Sequence, residues 1–356
     1  MTTFSFWTFE KFKTLDEIIE TLKENNNKRI IVNDLLWNYD NPIVQFRDND
    51  NYGIDVVKTV DVNGKKINFI YFEGYTERIA NKSSWLTEAG TIRERNELVN
   101  EYKCNIMFFE YNNTVQGVFF RAKSTAQRII SYLFGKEEIW GTINEMKFGI
   151  TEDLFYWVFH RVKDYSDEPL YENIDMNITG FESYRGTTKD NVNAIKGQGS
   201  RIAAMLGTIA FLFNNENLKA ITPEIQYKNN KVLIDMSISG TYKIWDNKYI
   251  IGDLVDADEL LQKIKLVIYA SLELIPKFIE CYKMNCAKKQ WSPQMKLNFL
   301  KTLGNEITDK VNVELERIKE QISEEFANEN EEYEIDEIDE VEDEDDIEEN
   351  LFEIEE

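Results

Sequence analysis

Basic side chains gather in two segments of an acidic sequence, and such a group of lysines and arginines can neutralise phosphates. The first segment, residues 185–201, carries four basic residues against the single acid Asp190. The four are Arg185, Lys189, Lys196 and Arg201. Cations at this density bind a nucleic-acid backbone by releasing its counterions, independently of base sequence. We therefore expect this segment to contact a polyanion, with a solvated protein surface as the alternative.

The second basic segment, residues 276–301, has six lysines against Glu280 alone, a net charge of +5. It also carries Tyr282 and Trp291, and aromatic side chains can stack on unpaired bases. The contacts we expect here are made by Lys283, Lys288 and Lys289. A charged helical surface without a ligand is the alternative interpretation.

A glycine-containing stretch at residues 196–201 precedes a segment that reads as a helix. Free backbone N–H groups at a helix N-terminus can hold a phosphate. The stretch lacks the full pattern of a phosphate-binding loop, so a plain loop is the other interpretation.

Residues that could support catalysis are sparse. His160 is the only histidine, and Cys104, Cys281 and Cys286 fit buried apolar positions. Glu224 and Lys228 lie together, but at the wrong spacing for a nuclease that holds Mg²⁺ with carboxylates. We expect no catalytic residue, no metal site and no cofactor. A nuclease or nucleotide-processing effector stays open as the enzymatic alternative.

The acidic charge is concentrated at the C-terminal end. Of the 65 acidic residues, 20 lie in residues 321–356, which contain no lysine or arginine. Residues 1–320 therefore carry 45 acidic and 41 basic side chains. A segment this charged cannot bury a core, so we expect a disordered acidic tail. It could serve solubility, act as a nucleic-acid mimic that covers the basic segments, or bind a partner.

The apolar patterns predict an α+β protein built mostly from an antiparallel sheet. Asn-Gly and Asn-Asn pairs between alternating apolar runs indicate hairpins. Strands are expected at residues 4–9, 29–32, 54–62, 65–72, 104–110, 115–122, 152–162, 174–184, 224–228 and 232–239. Helices are expected at residues 15–24, 124–135 and 200–213, from a capping box at residues 256–259 to about 275, and from 293 onward.

These elements suggest three parts: an α+β domain at 1–250, a helical region for dimerisation and binding at 251–320, and the tail at 321–356. The last helix carries apolar residues three or four positions apart. The stripe that we expect to form a homodimer interface consists of Leu300, Leu303, Ile307 and Val311.

The location expected from composition is the cytoplasm. No run of 18 apolar residues occurs, so we expect no direct membrane insertion. Three cysteines are few and odd in number, which is typical of a reduced protein.

One run resembles a known family. Tyr184-Arg185-Gly186-Thr187-Thr188-Lys189-Asp190-Asn191-Val192 is similar to the R-G-T-T-K-D-x-V run of the RexA family, the phage-exclusion proteins of lambdoid prophages. Weaker similarity covers roughly residues 45–240. It includes the hairpins at residues 61–65 and 106–122 and the helix at residues 127–135.

The resemblance implies a non-enzymatic, dimeric, cytoplasmic component of antiphage defence, acting by abortive infection. Such a protein binds DNA without strong sequence preference and triggers a membrane partner. The chain departs from the family in its helical pair near the C-terminus, which does not align, and in its acidic tail, which opposes DNA binding. An interaction protein that uses its acidic tail as a polyanion mimic remains a third hypothesis.

Overall fold

The structure is a computed structural model that describes residues 1–166, 168–199 and 201–336. It contains 38% helix and 32% strand. Every strand pair among these residues is antiparallel. The expected α+β class with a large antiparallel sheet is therefore confirmed.

The strands of the described residues follow in chain order: β1 (Thr2–Phe9), β2 (Lys28–Arg29), β3 (Ile43–Arg47), β4 (Lys58–Val62), β5 (Lys65–Ile79), β6 (Val99–Tyr111), β7 (Thr114–Phe119), β8 (Ile143–Glu145), β9 (Met176–Thr187), β10 (Ala194–Gln198), β11 (Asn217–Tyr227), β12 (Asn230–Ser237) and β13 (Tyr242–Ile244).

The α-helices of the same residues are α1 (Leu15–Asn25), α2 (Arg95–Leu98), α3 (Lys123–Leu133), α4 (Glu137–Trp140), α5 (Glu152–Asp164), α6 (Leu206–Phe213), α7 (Glu259–Tyr269), α8 (Ile275–Ala287) and α9 (Pro293–Asp336). Short 3₁₀ turns occur at Lys82–Ser84, Ile202–Ala204 and Asp246–Lys248, and a π-helical segment at Ala270–Leu274.

The sheet has two halves joined by β1. Neighbouring strands follow the order β10-β9-β11-β12-β13-β1-β7-β6-β5-β3-β2, with β4 on β5 and β8 on β1. Residues 2–4 of β1 pair with β13, and residues 5–9 pair with β7. The hairpin β9–β10 therefore lies at one edge of the sheet and β2–β3 at the other.

Two expected hairpins are present with the turn chemistry that the sequence indicates. Asn63 and Gly64 join β4 to β5 with φ of 53° and 80°, and Asn112 and Asn113 join β6 to β7 with φ of 51° and 58°. Asparagine and glycine adopt positive φ at the lowest cost. Between β11 and β12 the residue with positive φ is Lys228, at 54°, rather than one of the two asparagines after it.

An aromatic core fills the half of the sheet that carries α1 and α3. Phe9, Phe108, Phe134 and Trp140 are all buried, and the rings of Phe134 and Trp140 meet edge to face at 4.8 Å. Each such side chain contributes roughly 1.5–3 kcal/mol when it leaves water. The helix α1 begins after Thr14, whose hydroxyl accepts the N–H of Glu17.

The strand expected at residues 152–162 is wrong, because this segment forms α5. Thr151 caps the helix by accepting the N–H of Leu154 at 3.3 Å, and Glu152 and Asp153 complement the positive end of the helix dipole. Residues 154–160 are all buried. A helix that is apolar all round shows no period of 3.6, so its sequence resembles that of a buried strand.

Among the helices of the last third, α9 begins where the sequence predicts, whereas α7 begins two residues later than a capping box with Asp256 at the cap indicates. Asp258 caps α7 by accepting the N–H groups of Leu260 and Leu261. Ser292 caps α9 by accepting the N–H of Met295 at 3.3 Å, with Pro293 at the first helical position. The π-helical segment precedes Pro276, which lacks an N–H and cannot continue the regular ladder. The helix expected over residues 200–213 is shorter, since α6 begins only at Leu206.

The chain divides into two compact units, Met1–Leu300 and a second that begins at Lys301. The helices α7 and α8 lie in the same unit as the sheet, whereas the sequence suggested a boundary near residue 250. The tail was expected to be disordered from residue 321. Instead, residues 321–336 belong to α9, and the rest of the expected tail lies outside the described residues.

Candidate nucleic-acid interface

The RexA-like run occupies the end of β9 and the turn into β10, and two of its residues are fixed by packing. Tyr184 is buried, and its ring lies 5.2 Å from that of Phe211. A Cβ at Gly186 would lie 2.4 Å from Cζ of Phe211 and 2.6 Å from the carbonyl oxygen of Asn217. Glycine is therefore required here by the close approach of β11 and α6.

Arg185, the first expected phosphate contact, is engaged by a carboxylate instead. Its Nη2 lies 2.6 Å and 2.8 Å from the two carboxylate oxygens of Asp235 on β12. Asp235 is buried and also accepts the hydroxyl of Thr222 at 3.1 Å. Arg185 therefore offers no unpaired charge to a ligand, because the fold brings Asp235 opposite it.

The Thr-Thr-Lys-Asp part of the run forms a closed turn. The Thr188 hydroxyl donates to the Asp190 carboxylate, which also accepts the N–H of Val192 at 3.0 Å. Asn191 has a φ of 58° and donates its N–H to the carbonyl of Thr188. The backbone N–H of Lys189 donates to Glu216 at 2.7 Å, whereas its side chain is exposed. The turn thus presents one lysine side chain to solvent.

Lys196 lies on the edge strand β10, directly opposite Arg185 in the register of β9. Its side chain is exposed, and no ion pair joins it to any residue that the structure describes. Arg201 is also exposed, after the turn that follows β10. The structure therefore brings Lys189 and Lys196 onto one edge hairpin, which we call the edge hairpin (β9–β10).

The glycines near Lys196 serve the local fold. A Cβ at Gly197 would lie 2.4 Å from the ring of Tyr184, and Gly199 has a φ of 132° and donates its N–H to Glu182. A 3₁₀ turn of three residues follows instead of a long helix. The backbone here does not form the helix N-terminus that a phosphate site would need.

Three lysines of the second basic segment pair with carboxylates, two of which come from other parts of the chain. Lys288 pairs with Glu172 at 3.2 Å and lies 4.7 Å from the ring centroid of Tyr171. Lys277 pairs with Glu280 at 2.6 Å. Lys296 lies 3.9 Å from Asp153 and 3.8 Å from the centroid of the Tyr156 ring, and burial lowers its pKa.

Lys283 and Lys289 remain exposed at the end of α8, with no ion pair in the described part of the chain. A helix C-terminus favours cations, so a structural role explains their position as well as a ligand does. No hydrogen bond or ion pair between described residues connects this pair with the edge hairpin.

Both aromatic residues expected to stack on bases are hydrogen-bonded to Asp153. Trp291 is 1% exposed and donates its Nε1–H to Asp153 at 2.8 Å, and Tyr282 donates its hydroxyl to the same oxygen at 2.7 Å. Both rings are fixed to α5. Burial therefore keeps Trp291 from stacking on a base, whereas Tyr282 is half-buried and anchored through its hydroxyl.

The residues considered for catalysis are dispersed. His160 lies buried on α5, its Nε2 3.7 Å from Asp164, and burial lowers its pKa. Burial also raises the pKa of the Cys104 and Cys281 thiols to about 12, which keeps them protonated. Glu224 pairs with Lys231 at 2.8 Å. Across residues 1–166, 168–199 and 201–336, no three His, Cys, Asp or Glu side chains converge as a metal site would require.

Sequence reasoning missed a third group of cations. Lys103, Arg121 and Lys263 line a pocket of about 720 Å³ beside Tyr71, with Glu101 as its acidic residue. They come from β6, from the end of β7 and from α7. Residues so distant along the chain give no local charge signal, so only the sheet register reveals them.

None of the described helices combines the length and the apolar character that crossing a bilayer demands. No protein-family model matches the chain, and no curated protein shows significant sequence similarity to it.

Proposed function

We propose that this protein is a non-enzymatic DNA-binding component of antiphage defence, similar to the RexA family, that acts in the cytoplasm. The observation that carries the proposal is the RexA-like run itself. Its tyrosine, arginine, glycine, threonine and aspartate residues have partners inside the fold, whereas the side chain of its lysine, Lys189, is exposed. The turn is held by hydrogen bonds among its own residues and with Glu216, and Lys189 is its one exposed cation, so the turn is suited to contact a phosphate.

The edge hairpin supports this use in two ways. Lys196 adds a second exposed cation on the same hairpin, and Arg201 follows it. An edge strand also leaves backbone groups unpaired on its outer side, which helps it approach an elongated ligand. Binding through lysines as point charges reads no base edges, so it would be insensitive to sequence and sensitive to salt.

The test compares two charge reversals of equal size. Lys189→Glu with Lys196→Glu should abolish or strongly weaken binding of duplex DNA, measured by fluorescence anisotropy at several salt concentrations. The slope of log K against log salt should fall by about 0.9 for each phosphate that the variant no longer neutralises. The matched control is Lys13→Glu with Lys66→Glu, two exposed lysines elsewhere in the fold that lie in no ion pair of the described residues.

Equal weakening in the two double variants would mean that net charge alone governs binding, and the edge hairpin would then be excluded as the contact. Wild-type protein that binds no DNA at about 50 mM salt would reject the proposed function itself. Cleavage of DNA that EDTA abolishes would instead favour the nuclease alternative.

We further propose that the protein is a homodimer through the outer part of α9. Leu303 is fully buried within the single chain, so the stripe expected from the sequence cannot all serve an interface. The apolar residues that remain exposed at spacings of three or four are Val311, Leu315, Ile318 and Ile322, each 38–49% exposed. This is the pattern with which two helices pack as a coiled coil.

A matched pair of variants on α9 tests the dimer. Val311→Asp lies on the stripe and should give a monomer by light scattering, because it places a charge in the helix seam. Val313→Asp makes the same change off the stripe, at a residue 70% exposed, and should leave the dimer intact. A monomeric wild type would contradict the proposal. If the wild type is a dimer, the dimeric protein is the form with which to search for the membrane partner that the resemblance implies.

A further inference from the structure

Another cationic region lies at the opposite edge of the sheet from the edge hairpin, between β2, β5 and the end of α3. It is a pocket of about 490 Å³ lined by four basic residues and, among the described residues, by no acidic one. The four are Lys28, Arg29, Arg78 and Lys136. We call it the α3 pocket. Its volume falls in the range of pockets for small organic ligands.

Arg78 is the central feature, because its guanidinium has no carboxylate opposite it. Its Nη2 donates to the backbone oxygen of Tyr132 at 2.6 Å, and the group lies 4.6 Å from the centroid of the Tyr132 ring. Its Nε is buried without a hydrogen-bond partner in the described structure. Burial lowers the pKa of Arg78, and the groups that oppose this are the hydroxyls of Tyr132 and Tyr102.

The nearest acid along the chain is already used. Glu77 faces away from Arg78 on the strand β5, since successive side chains alternate. Its carboxylate receives Nη1 and Nη2 of Arg95 at 3.2 Å and 2.7 Å, and the N–H of Ile43 at 3.1 Å. Arg78 thus keeps an uncompensated charge in a partly buried place, which is costly unless an anion joins it.

The other three cations are held loosely. Lys28 donates to the side-chain oxygen of Asn25 at 2.7 Å, which leaves its charge uncompensated. Arg29 lies 3.4 Å from Asp40 in a pair whose side chains are 54% and 81% exposed, and such pairs exchange easily. Lys136 is exposed and lies in no ion pair of the described residues. All three can turn to a multiply charged anion.

Apolar and aromatic side chains form the rest of the wall. Val44, Ile139 and Trp140 line the pocket, and Ile31 at its rim is 75% exposed. A free inorganic anion would use only the cations. A ligand with a flat apolar part would also cover Ile31 and the edge of this wall.

We propose that the α3 pocket binds a nucleoside phosphate, with the phosphates on Arg78, Lys136, Lys28 and Arg29 and the base against the apolar wall. Arg78 supplies the planar fork that suits phosphate oxygens, and the lysines act as point charges. This site lies at the other edge of the sheet from the edge hairpin and requires no DNA, so it goes beyond the proposed function.

Isothermal titration of the full chain with AMP, ADP, pyrophosphate and adenosine tests the proposal. We expect ADP to bind more tightly than AMP, and adenosine and pyrophosphate each to bind at least about 10-fold more weakly than ADP. Arg78→Gln should weaken ADP binding by about 10-fold or more, as for the removal of a charge-assisted hydrogen bond. Lys136→Ala, at an exposed position that the fold does not need, should weaken it severalfold.

Two controls separate this site from the edge hairpin and from charge in general. Lys66→Ala, and Lys189→Glu with Lys196→Glu, should leave ADP affinity unchanged. The proposal is overturned if wild-type protein binds no nucleoside phosphate at millimolar concentration. It is also overturned if both Arg78→Gln and Lys136→Ala bind ADP within twofold of wild type. Pyrophosphate binding as tightly as ADP would overturn the role of the base.

Discussion

Arg185 and Arg78 lie on strands of opposite halves of the sheet, and the fold treats them differently. Arg185 belongs to a dense basic segment, yet it forms an ion pair with the buried carboxylate of Asp235, with Nη2 2.6 Å from Oδ1. Arg78 follows Glu77 in sequence, yet no carboxylate of the described residues pairs with it. The carboxylate of Glu77 forms its ion pair with Arg95 instead. The number of charges in a segment therefore does not measure the charge that a ligand would meet.

The same difference in pairing distinguishes the edge hairpin from the α3 pocket. At the edge hairpin the basic residues are close in sequence, and the fold pairs one of them with a buried acid. In the α3 pocket residues 28 and 29 are distant in sequence from residues 78 and 136, and the fold brings the four together in a lining that, among the described residues, contains no acid. The one ion pair among them is the exposed pair of Arg29 with Asp40. Whether a basic side chain keeps an unpaired charge depends on whether the fold places a carboxylate next to it.

The largest expected effect comes from breaking the Arg185 pair from the arginine side. Arg185→Met leaves Asp235 buried with only Thr222 as a side-chain partner, and should lower the free energy of unfolding by about 3 kcal/mol. Asp235→Asn leaves Arg185, whose side chain is 40% exposed and can reach water, and should cost only about 1 kcal/mol. Urea unfolding of both variants measures the asymmetry. Equal costs would mean that burial of Asp235 does not govern the pair.

The next largest effect is the difference in stability expected between substitutions of Arg95, on α2, and of Arg78, on β5. Arg95→Met should lower the free energy of unfolding by about 2 kcal/mol, because it leaves the Glu77 carboxylate, 10% exposed, without its cation. Arg78→Met should change it by less than about 0.5 kcal/mol or increase it, since it removes a charge with no carboxylate partner. If Arg78→Met is the more damaging of the two, Arg78 has a structural role and the α3 pocket has no uncompensated cation at its centre.

The sequence was sufficient where short-range rules act. Asn63-Gly64 marked a hairpin, and Ser292-Pro293 marked the start of α9, because both depend only on neighbouring residues. It failed at α5, whose uniformly apolar surface hides the helical period. It also failed for Arg185, Trp291 and the α3 pocket, since their partners lie far away along the chain and are set by strand register and helix docking.

The pH dependence of Arg95→Met sharpens the contrast further. Burial acts to raise the pKa of Glu77, but the hydrogen bonds and charge of Arg95, with the N–H of Ile43, outweigh it and lower the pKa. The pair's contribution is therefore full above about pH 4.5 and disappears as the pH falls through the lowered folded-state pKa. The difference in free energy of unfolding between wild type and Arg95→Met should therefore decrease as the pH is lowered from neutral to below the pKa of an ordinary glutamate.

Arg78→Met serves as the control for this titration, because it removes no carboxylate partner. Its difference from wild type should stay constant over the same pH range. A gap for Arg95→Met that does not change with pH would mean that Glu77 is stabilised by its backbone contact rather than by the arginine.

The smallest expected effect concerns the end of α8, where removing an acidic partner should give a paired lysine an unpaired charge. Glu172→Gln releases Lys288 from its 3.2 Å pair, whose side chains are 49% and 68% exposed. Exposed pairs contribute little, so the urea midpoint should not move. If Lys283 and Lys289 belong to the DNA contact, the freed lysine should raise affinity at low salt by less than about fivefold. The gain should disappear in Glu172→Gln with Lys288→Ala. An unchanged affinity in Glu172→Gln would remove the end of α8 from the interface and leave the edge hairpin as the proposed contact.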